Sequence, residues 1–441
     1  MSQTLQIAVA KGDGIGPEIM DATLDLFAAA GVSNFVHFRE VEMGASVFAK
    51  GNSRGMSDDA VRVVEDSGIL FKGPMETPKG GGGKSINVTA RKMWNAFANF
   101  RTFKTLPGVE TVYSKAGIYL DFSVVRENIE DTYGGVEHRL SNDMIQCKRL
   151  ISAPGCDEVH RFAFQTARKL GVKKIHCGHK ANIMKMTDGL FLERFKVTGR
   201  DFPEIEQGDV IVDALCMNLV VKPQQYGMIV LPNLQGDIVS DLCAGLVGGL
   251  GFAPSANIGN HISIFEAVHG TAPDIAGRGI ANPTSLILSG LMMLRHICLN
   301  KEAANIENAL LATLESGIHT GDFGDKSKPN VGTKDFTAAI KNNLGNKPKT
   351  VPAVEVPSAS ETCFVRAPKP AGPQVIRTFK NLVTQVVGCD IYLDSPLSPL
   401  ALAEEMQRAC ADTPFKLTLI SNRGTQVWPT GSVYTECVDY Y

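Results

Sequence analysis

The stretch LQIAVAKGDGIGPEIMDATLDLFAAAG, residues 5–31, decides what kind of fold this chain can adopt. It reads as a β-strand, a Gly/Pro turn and an amphipathic helix with apolar Ile19, Leu24 and Phe27. Working outward, NFVHFREVEMG reads as a strand, SDDAVRVVEDS as a helix with an Asp-rich first turn, and GILFKGP as another strand. Strands alternating with helices of this length predict an α/β protein built on a sheet. A standard Rossmann domain is not expected: in GDGIGPE the third glycine falls one residue too early for G-x-G-x-x-G.

The alternation continues. GIYLDFSVVREN reads as a buried strand, CDEVHRFAFQTARKLGVKKIHCGHKAN as helix then strand, and DVIVDALCMNLV as strand then helix. YGMIVLPNLQGDIVSDLCAGLVGG gives strand, turn and helix, and PTSLILSGLMMLRHI and NIENALLATLESG are the last long helices of this block. Past Gly345 the composition turns to Pro, Lys, Ser and Ala, which suits a linker over 346–372. Beyond it, NLVTQVVGCDIYL (strand), PLSPLALAEEMQRACAD (helix) and FKLTLISNRGTQVWP (strand) predict a small α/β appendix over 373–441.

A chain of 441 residues exceeds one ordinary core, so two or three domains are expected. A net charge of −2 gives no reason to expect a nucleic-acid or membrane-surface partner. No apolar run reaches the roughly 18 residues of a membrane span, and the first residues carry no targeting pattern. The ten cysteines are scattered without C-x-x-C, which leads to the expectation of reduced thiols and a cytoplasmic location.

Five stretches could carry chemistry. TPKGGGGKSINVTARK tempts a P-loop reading, but Pro78 stands where that motif needs its first glycine and has no N–H to offer a phosphate. With DVIVDAL as a Walker B-like strand, nucleotide hydrolysis stays open as an alternative. The competing reading is a Gly loop opening a helix, with Ser85 and Asn87 in its first turn, Arg91 on the same face as Asn87, and Arg101 on the next segment. VVRENIEDTYGG adds Arg126 and Tyr133; three arginines suit a ligand with several carboxylates, though each alone is more often a surface ion pair. Asp237 and Asp241, four apart, share a helix face, and Asp213 ends an apolar run. Three carboxylates with few Cys or His nearby suit Mg2+ or Mn2+, unless they are solvated acids and caps. Lys180 follows a short apolar run and, held in a cleft, can act as acid or base; most lysines are solvated charges. In FEAVHGTAPDIAGRGIANPTSLILS, Asp274 can accept hydrogen bonds from a ribose diol.

Taken together, GDGIGPEI, KGPMETP, KSINVTARK, VVRENIEDTYGG, HKANIMK, NLQGDIVSDL, GGLGFAPSANIG and HGTAPDIAGRGIANPTSLILS resemble the isocitrate and isopropylmalate dehydrogenases. They run in that family's order from about residue 7 to 345. The resemblance implies a two-domain α/β fold that is not a Rossmann fold. A large cofactor domain would comprise 1–98 and 248–345, and a smaller domain with a dimer clasp 99–247. It implies oxidative decarboxylation of isocitrate in a homodimer with shared active sites. Ser85 and Asn87, two apart, resemble the isocitrate pattern, with homoisocitrate or isopropylmalate as alternatives within the family. Arg91, Arg101 and Arg126 would bind substrate carboxylates. Asp237 and Asp241, with the partner's Asp213, would hold Mg2+ or Mn2+; Lys180 of the partner, with Asp213, would act as the base, and Tyr133 would return the proton.

For the cofactor, the resemblance implies Thr77, His269, Gly270, Thr271, Ala272, Asp274, Ile275 and Asn282. NADP-using members typically carry Lys-Tyr where Asp274-Ile275 stand here, so NAD is expected. The appendix resembles the extra domain of the longer bacterial enzymes of the Thermus type, whose comparable members use NADP; an NAD-type loop in that setting is a departure. A catalytically dead regulatory subunit, which occurs among NAD-linked members, is disfavoured because every motif residue is present.

Overall fold

A computed structural model describes residues 4–76, 85–140, 144–356, 388–422, 425–429 and 439–440. Thr77, the glycine-rich run 78–84 and most of the linker lie outside the described residues. The chain divides into two compact units: Met1–Tyr133 with Leu150–Lys369, and Gly134–Arg149 with Pro370–Tyr441.

The first unit is built on one ten-stranded sheet. Its strands are β1 (Leu5–Ala10), β2 (Val36–Glu40), β3 (Ile69–Lys72), β4 (Ala98–Lys104) and β5 (Asp121–Glu127). After the hairpin strands β6 (Glu137–Arg139) and β7 (Ile145–Cys147) of the second unit come β8 (Lys174–His179), β9 (Glu206–Ile211), β10 (Met228–Leu231), β11 (Pro254–Ile258) and β12 (Ser263–Ala267). The order is β2-β1-β3-β12-β11-β4-β5-β10-β8-β9. Two parallel wings flank an antiparallel middle, where β11 runs against β12 and β4, and β4 against β5. The fold is therefore mixed α/β with a parallel-dominated sheet, as the alternation of strands and helices predicts. Wing strands such as MIVL and ILFK are buried along their whole length, which explains their continuous apolar reading.

The first helix, Gly16–Ala29, has Pro17 in its first turn. Ile19 and Phe27 are fully buried, and Phe27 stacks on Phe71 with centroids 6.1 Å apart. The glycines before it serve the chain's own backbone. Gly14 has φ of +60°, and a Cβ there would lie 2.0 Å from the Thr271 carbonyl oxygen. That carbonyl accepts the Ile15 N–H at 2.9 Å, so the first turn pins the 269–275 loop.

In the second unit β6 and β7 pair antiparallel. The helix Pro399–Cys410 is capped by Ser398 and packs Leu402 and Ala403 with Ile420 and Val427. FKLTLISNRGTQVWP, expected as one strand, is two: Ile420–Asn422 pairs antiparallel with Thr425–Trp428. The N-x-G within it is a turn signal that the strand reading passed over.

Seven described cysteines carry free thiols, but Cys298 is disulfide-bonded, so the expectation of thiols throughout fails there. The sequence has no second cysteine within fifty residues of Cys298, so there is no local spacing to read. Among the described residues, no helix is long and apolar enough to cross a membrane.

Candidate active site

β5 and β10 run parallel with Leu231 opposite Arg126. The chain leaving β10 therefore enters the helix Asn233–Leu246 directly beside the Arg126 guanidinium. Asn233 Oδ1 accepts from Arg126 Nε at 3.0 Å and Nη2 at 2.8 Å. Gly236 permits the approach, since a Cβ there would lie 2.7 Å from Arg126 Cγ. One turn on, Asp237 Oδ1 takes a short charged hydrogen bond from Arg126 Nη1, and its Oδ2 accepts the Tyr133 hydroxyl at 2.6 Å. The Arg126 guanidinium also lies over the Tyr133 ring, 4.8 Å from its centroid. From β4, Arg101 donates to Asn99 Oδ1 at 2.8 Å, Ser240 Oγ at 2.7 Å and Asp241 Oδ1 at 3.3 Å. The spacing of Asp237 and Asp241 thus does put both on one helix face, turned to two buried arginines.

These charges shift one another. Burial and the neighbouring guanidinium groups push Arg101 down to about 10, and burial likewise lowers Arg126. For Asp237, burial acts upward, but Arg126 and the Tyr133 hydroxyl outweigh it and hold the carboxyl below its ordinary value. Asp241 goes the other way, raised by burial and by the Asp237 charge despite Arg101. Burial raises the Tyr133 phenol, with Arg126 opposing. Two adjacent carboxylates that repel, with side chains 38% and 57% exposed, fit a hard divalent cation.

Asp213 stands apart from that pair. It lies in the first turn of the helix Val212–Val221, exposed, and takes Lys180 Nζ at 2.6 Å. The ammonium holds its carboxyl below the ordinary range. Among the described residues no three acidic, His or Cys groups gather as a metal site. The structure therefore groups Arg91, Arg101, Arg126, Tyr133, Asp237 and Asp241, and separately pairs Lys180 with Asp213.

A cleft of about 630 Å3 opens beside Arg101. Asn87, Arg91 and Arg101 line it, as do His269, Gly270 and Thr271. Two residues missed in the sequence, Lys72 and Glu266, also line it; they are 1% and 4% exposed. Glu266 takes Lys72 Nζ at 2.5 Å, Arg91 Nη2 at 2.8 Å and Asn257 Nδ2 at 2.7 Å. Burial alone would raise its carboxyl, but Lys72 and Arg91 drive it well below the carboxylate range. The available signal was a charge inside each apolar strand, ILFK and SIFEA.

Three residues lining this cleft each carry a buried polar atom that has no partner among the described residues: Asn87 Oδ1, Arg91 Nε and His269 Nε2. Burial lowers His269, and the Gly270 carbonyl 3.0 Å from Nδ1 takes the ring proton, which leaves Nε2 as an acceptor. An acceptor, a charged donor and a second acceptor left buried are the polar fit for an absent ligand. Ser85 precedes the helix Ile86–Met93 without capping it through its side chain. Ala272 is left-handed at φ 40° and leads the short turn Pro273–Ile275, which exposes Asp274. Asn282 is committed within the fold: its Oδ1 accepts from Thr284, and its Nδ2 donates to Asp322 at 3.0 Å.

With this geometry in view, residues 6–340 match the model of the isocitrate/isopropylmalate dehydrogenase family, and residues 384–441 match that of the bacterial isocitrate dehydrogenase C-terminal domain. The chain is similar to an isocitrate dehydrogenase [NADP] of Thermus thermophilus, 44% identical over 99% of this chain and 85% of that one. It is also similar to a probable isocitrate dehydrogenase [NAD] subunit alpha of Drosophila melanogaster, 42% identical over 77% of this chain and 88% of that one. Among solved structures, a Thermus thermophilus protein superposes with a TM-score of 0.88 at 42% identity, covering 99% of this chain and 86% of its own.

Proposed function

The chain belongs to the isocitrate/isopropylmalate dehydrogenase family, and we propose that it oxidises and decarboxylates isocitrate to 2-oxoglutarate with NAD. The observation that carries this is the cleft itself. Arg91 and Arg101 line it beside Asn87, and Arg91 Nε and Asn87 Oδ1 have no partner among the described residues. A tricarboxylate matches several buried cations, whereas an isopropyl group would strand Asn87 without a hydrogen bond.

Arg91, Arg101 and Arg126 bind the substrate carboxylates, with Ser85 and Asn87 on the one that isopropylmalate lacks. Because Glu266, itself bonded to Lys72, already ties Arg91, its orientation is set before substrate arrives. Asp237 and Asp241 would hold Mg2+ or Mn2+ together with Asp213 of the partner subunit. When bound, the metal supplies Lewis-acid polarisation at the substrate's C2 oxygen, and NAD supplies the hydride acceptor. Lys180, working in the partner's site, takes the C2 hydroxyl proton as it passes one of its own to the Asp213 carboxylate to which it is bonded. Tyr133 gives its phenolic proton to the carbon that has lost CO2, and the Arg126 guanidinium over its ring steadies the phenolate left behind. Asp274 accepts from the adenosine ribose hydroxyls.

Use of NADP is a second reading, favoured by the name of the Thermus relative. One assay separates these readings: initial rates with isocitrate, homoisocitrate and isopropylmalate, each against NAD and NADP with Mg2+. Isocitrate with NAD is expected to be fastest. A preference for isopropylmalate would remove the role given to Asn87, and a preference for NADP that given to Asp274.

A further inference from the structure

The first turn of the helix Asn233–Leu246 is held by three other segments, through three consecutive residues. Asn233 takes Arg126, and the Leu234 N–H donates to Asp131 Oδ2 at 2.9 Å. Gln235 Nε2 donates to Asp188 Oδ2 at 2.9 Å. Asp188 is 0% exposed, in the first turn of the helix Thr187–Gly199. The same Oδ2 accepts the backbone N–H of Lys180 at 2.6 Å. The Lys180 carbonyl in turn accepts from the N–H groups of Ile183 at 3.0 Å and Met184 at 2.9 Å. The Lys180 backbone is therefore clamped on both sides, while its ammonium reaches out to Asp213.

A fully buried carboxylate is kept against a large desolvation cost. A neutral acceptor would satisfy the same N–H more weakly, because a charged acceptor forms a shorter and stronger bond. Proton transfer tolerates little misplacement, so a clamp on the backbone of an acid–base lysine acts on rate rather than on binding.

We propose that Asp188 is a positioning residue for proton transfer by Lys180, and that Gln235 registers it against the helix carrying Asp237 and Asp241. This rests on the role given to Lys180 above. The turn each subunit lends to its partner's site and the carboxylate helix of its own site then form one hydrogen-bonded unit.

The test uses the full chain with isocitrate, NAD and Mg2+, reading kcat, KM and the solvent deuterium isotope effect on kcat. Asp188→Ala is expected to lower kcat about ten- to a hundred-fold, with KM for isocitrate changed by less than about threefold. The isotope effect should rise as proton transfer becomes limiting. Asp188→Asn, which keeps an oxygen acceptor, should restore kcat to within about fivefold, and Gln235→Met should fall between the two. Unchanged kcat in Asp188→Ala, or a kcat loss with an unaltered isotope effect, overturns the proposal. Should that variant not fold, Gln235→Met decides on the same two readings. Lys180→Met serves as the control: near-normal turnover there sinks the role of Lys180 itself, whereas its loss beside an active Asp188→Ala sinks only the clamp.

Discussion

Reversing one charge should move this enzyme from one nicotinamide cofactor toward the other. Asp274 is exposed on a turn whose backbone is pinned: the Thr271 carbonyl holds the Ile15 N–H at 2.9 Å, and Ala272 sets the entry to Pro273–Ile275. Substituting Asp274→Lys therefore changes charge more than shape. Loss of a charged acceptor for the ribose hydroxyls costs about 1.5–3 kcal/mol, roughly ten- to 150-fold in kcat/KM with NAD. A carboxylate about 4 Å from a 2′-phosphate is repelled by about 1 kcal/mol per charge in water and about 4 at an effective dielectric of 20. Exposure favours the low end, so replacing repulsion by attraction gains about 2 kcal/mol with NADP, some thirtyfold. The ratio of kcat/KM for NAD over NADP should then fall by roughly 300-fold or more. Steady-state rates with both nucleotides at saturating isocitrate measure it. The shift toward NADP should shrink at high salt, where screening acts within about 10 Å. A ratio that moves less than about tenfold would refute the assignment of Asp274.

Four other substitutions probe the site and its supports. Tyr133→Phe removes the hydroxyl bonded to Asp237, and Lys180→Ala the ammonium paired with Asp213; each should lower turnover by about 10²–10⁴-fold. Near-normal turnover in both would show these roles to be wrong. Glu127, next to Arg126, is pushed up to about 7 by burial, against N–H bonds from Ile129 and Glu130. Its folded value lies above the unfolded one, so its contribution is full below about pH 4.5 and lost as pH rises through 7. Glu127→Gln should therefore gain about 1–3 kcal/mol in urea unfolding at pH 8 and little at pH 5; a loss at pH 8 would contradict this. His160 is fully buried between Phe191 and Phe195, neither ring nitrogen has a partner among the described residues, and burial lowers it to about 3. Its stabilisation is present above about pH 6.5 and lost as pH falls toward 3, about 2 kcal/mol by pH 5. His160→Leu should flatten that acid slope; an unchanged slope would place its origin elsewhere.

Much of the fold is legible in short windows, because strand and helix periodicities are nearest-neighbour properties. The first strand, its turn and its helix fall where the apolar pattern puts them, and GDGIG could be refused as a dinucleotide motif from spacing alone. The appendix shows the limit of that approach: a window read as one strand holds two, Ile420–Asn422 and Thr425–Trp428, paired antiparallel. The disulfide at Cys298 was likewise beyond reach of local spacing.

The site divides in the same way. Asp237 and Asp241 are four apart, and the helix alone makes them neighbours. Arg126 precedes Asp237 by 111 residues and meets it only because β5 and β10 pair in parallel with Arg126 opposite Leu231. Lys72 and Glu266 meet through the β3–β12 register, and Asp188, which reaches Lys180 locally across the preceding turn, meets Gln235 only through the tertiary fold. By itself the sequence determined the residue types, their order and the faces they share. The tertiary structure decided which charges meet, because long-range register is set by buried hydrogen-bond ladders and core packing rather than by neighbours along the chain.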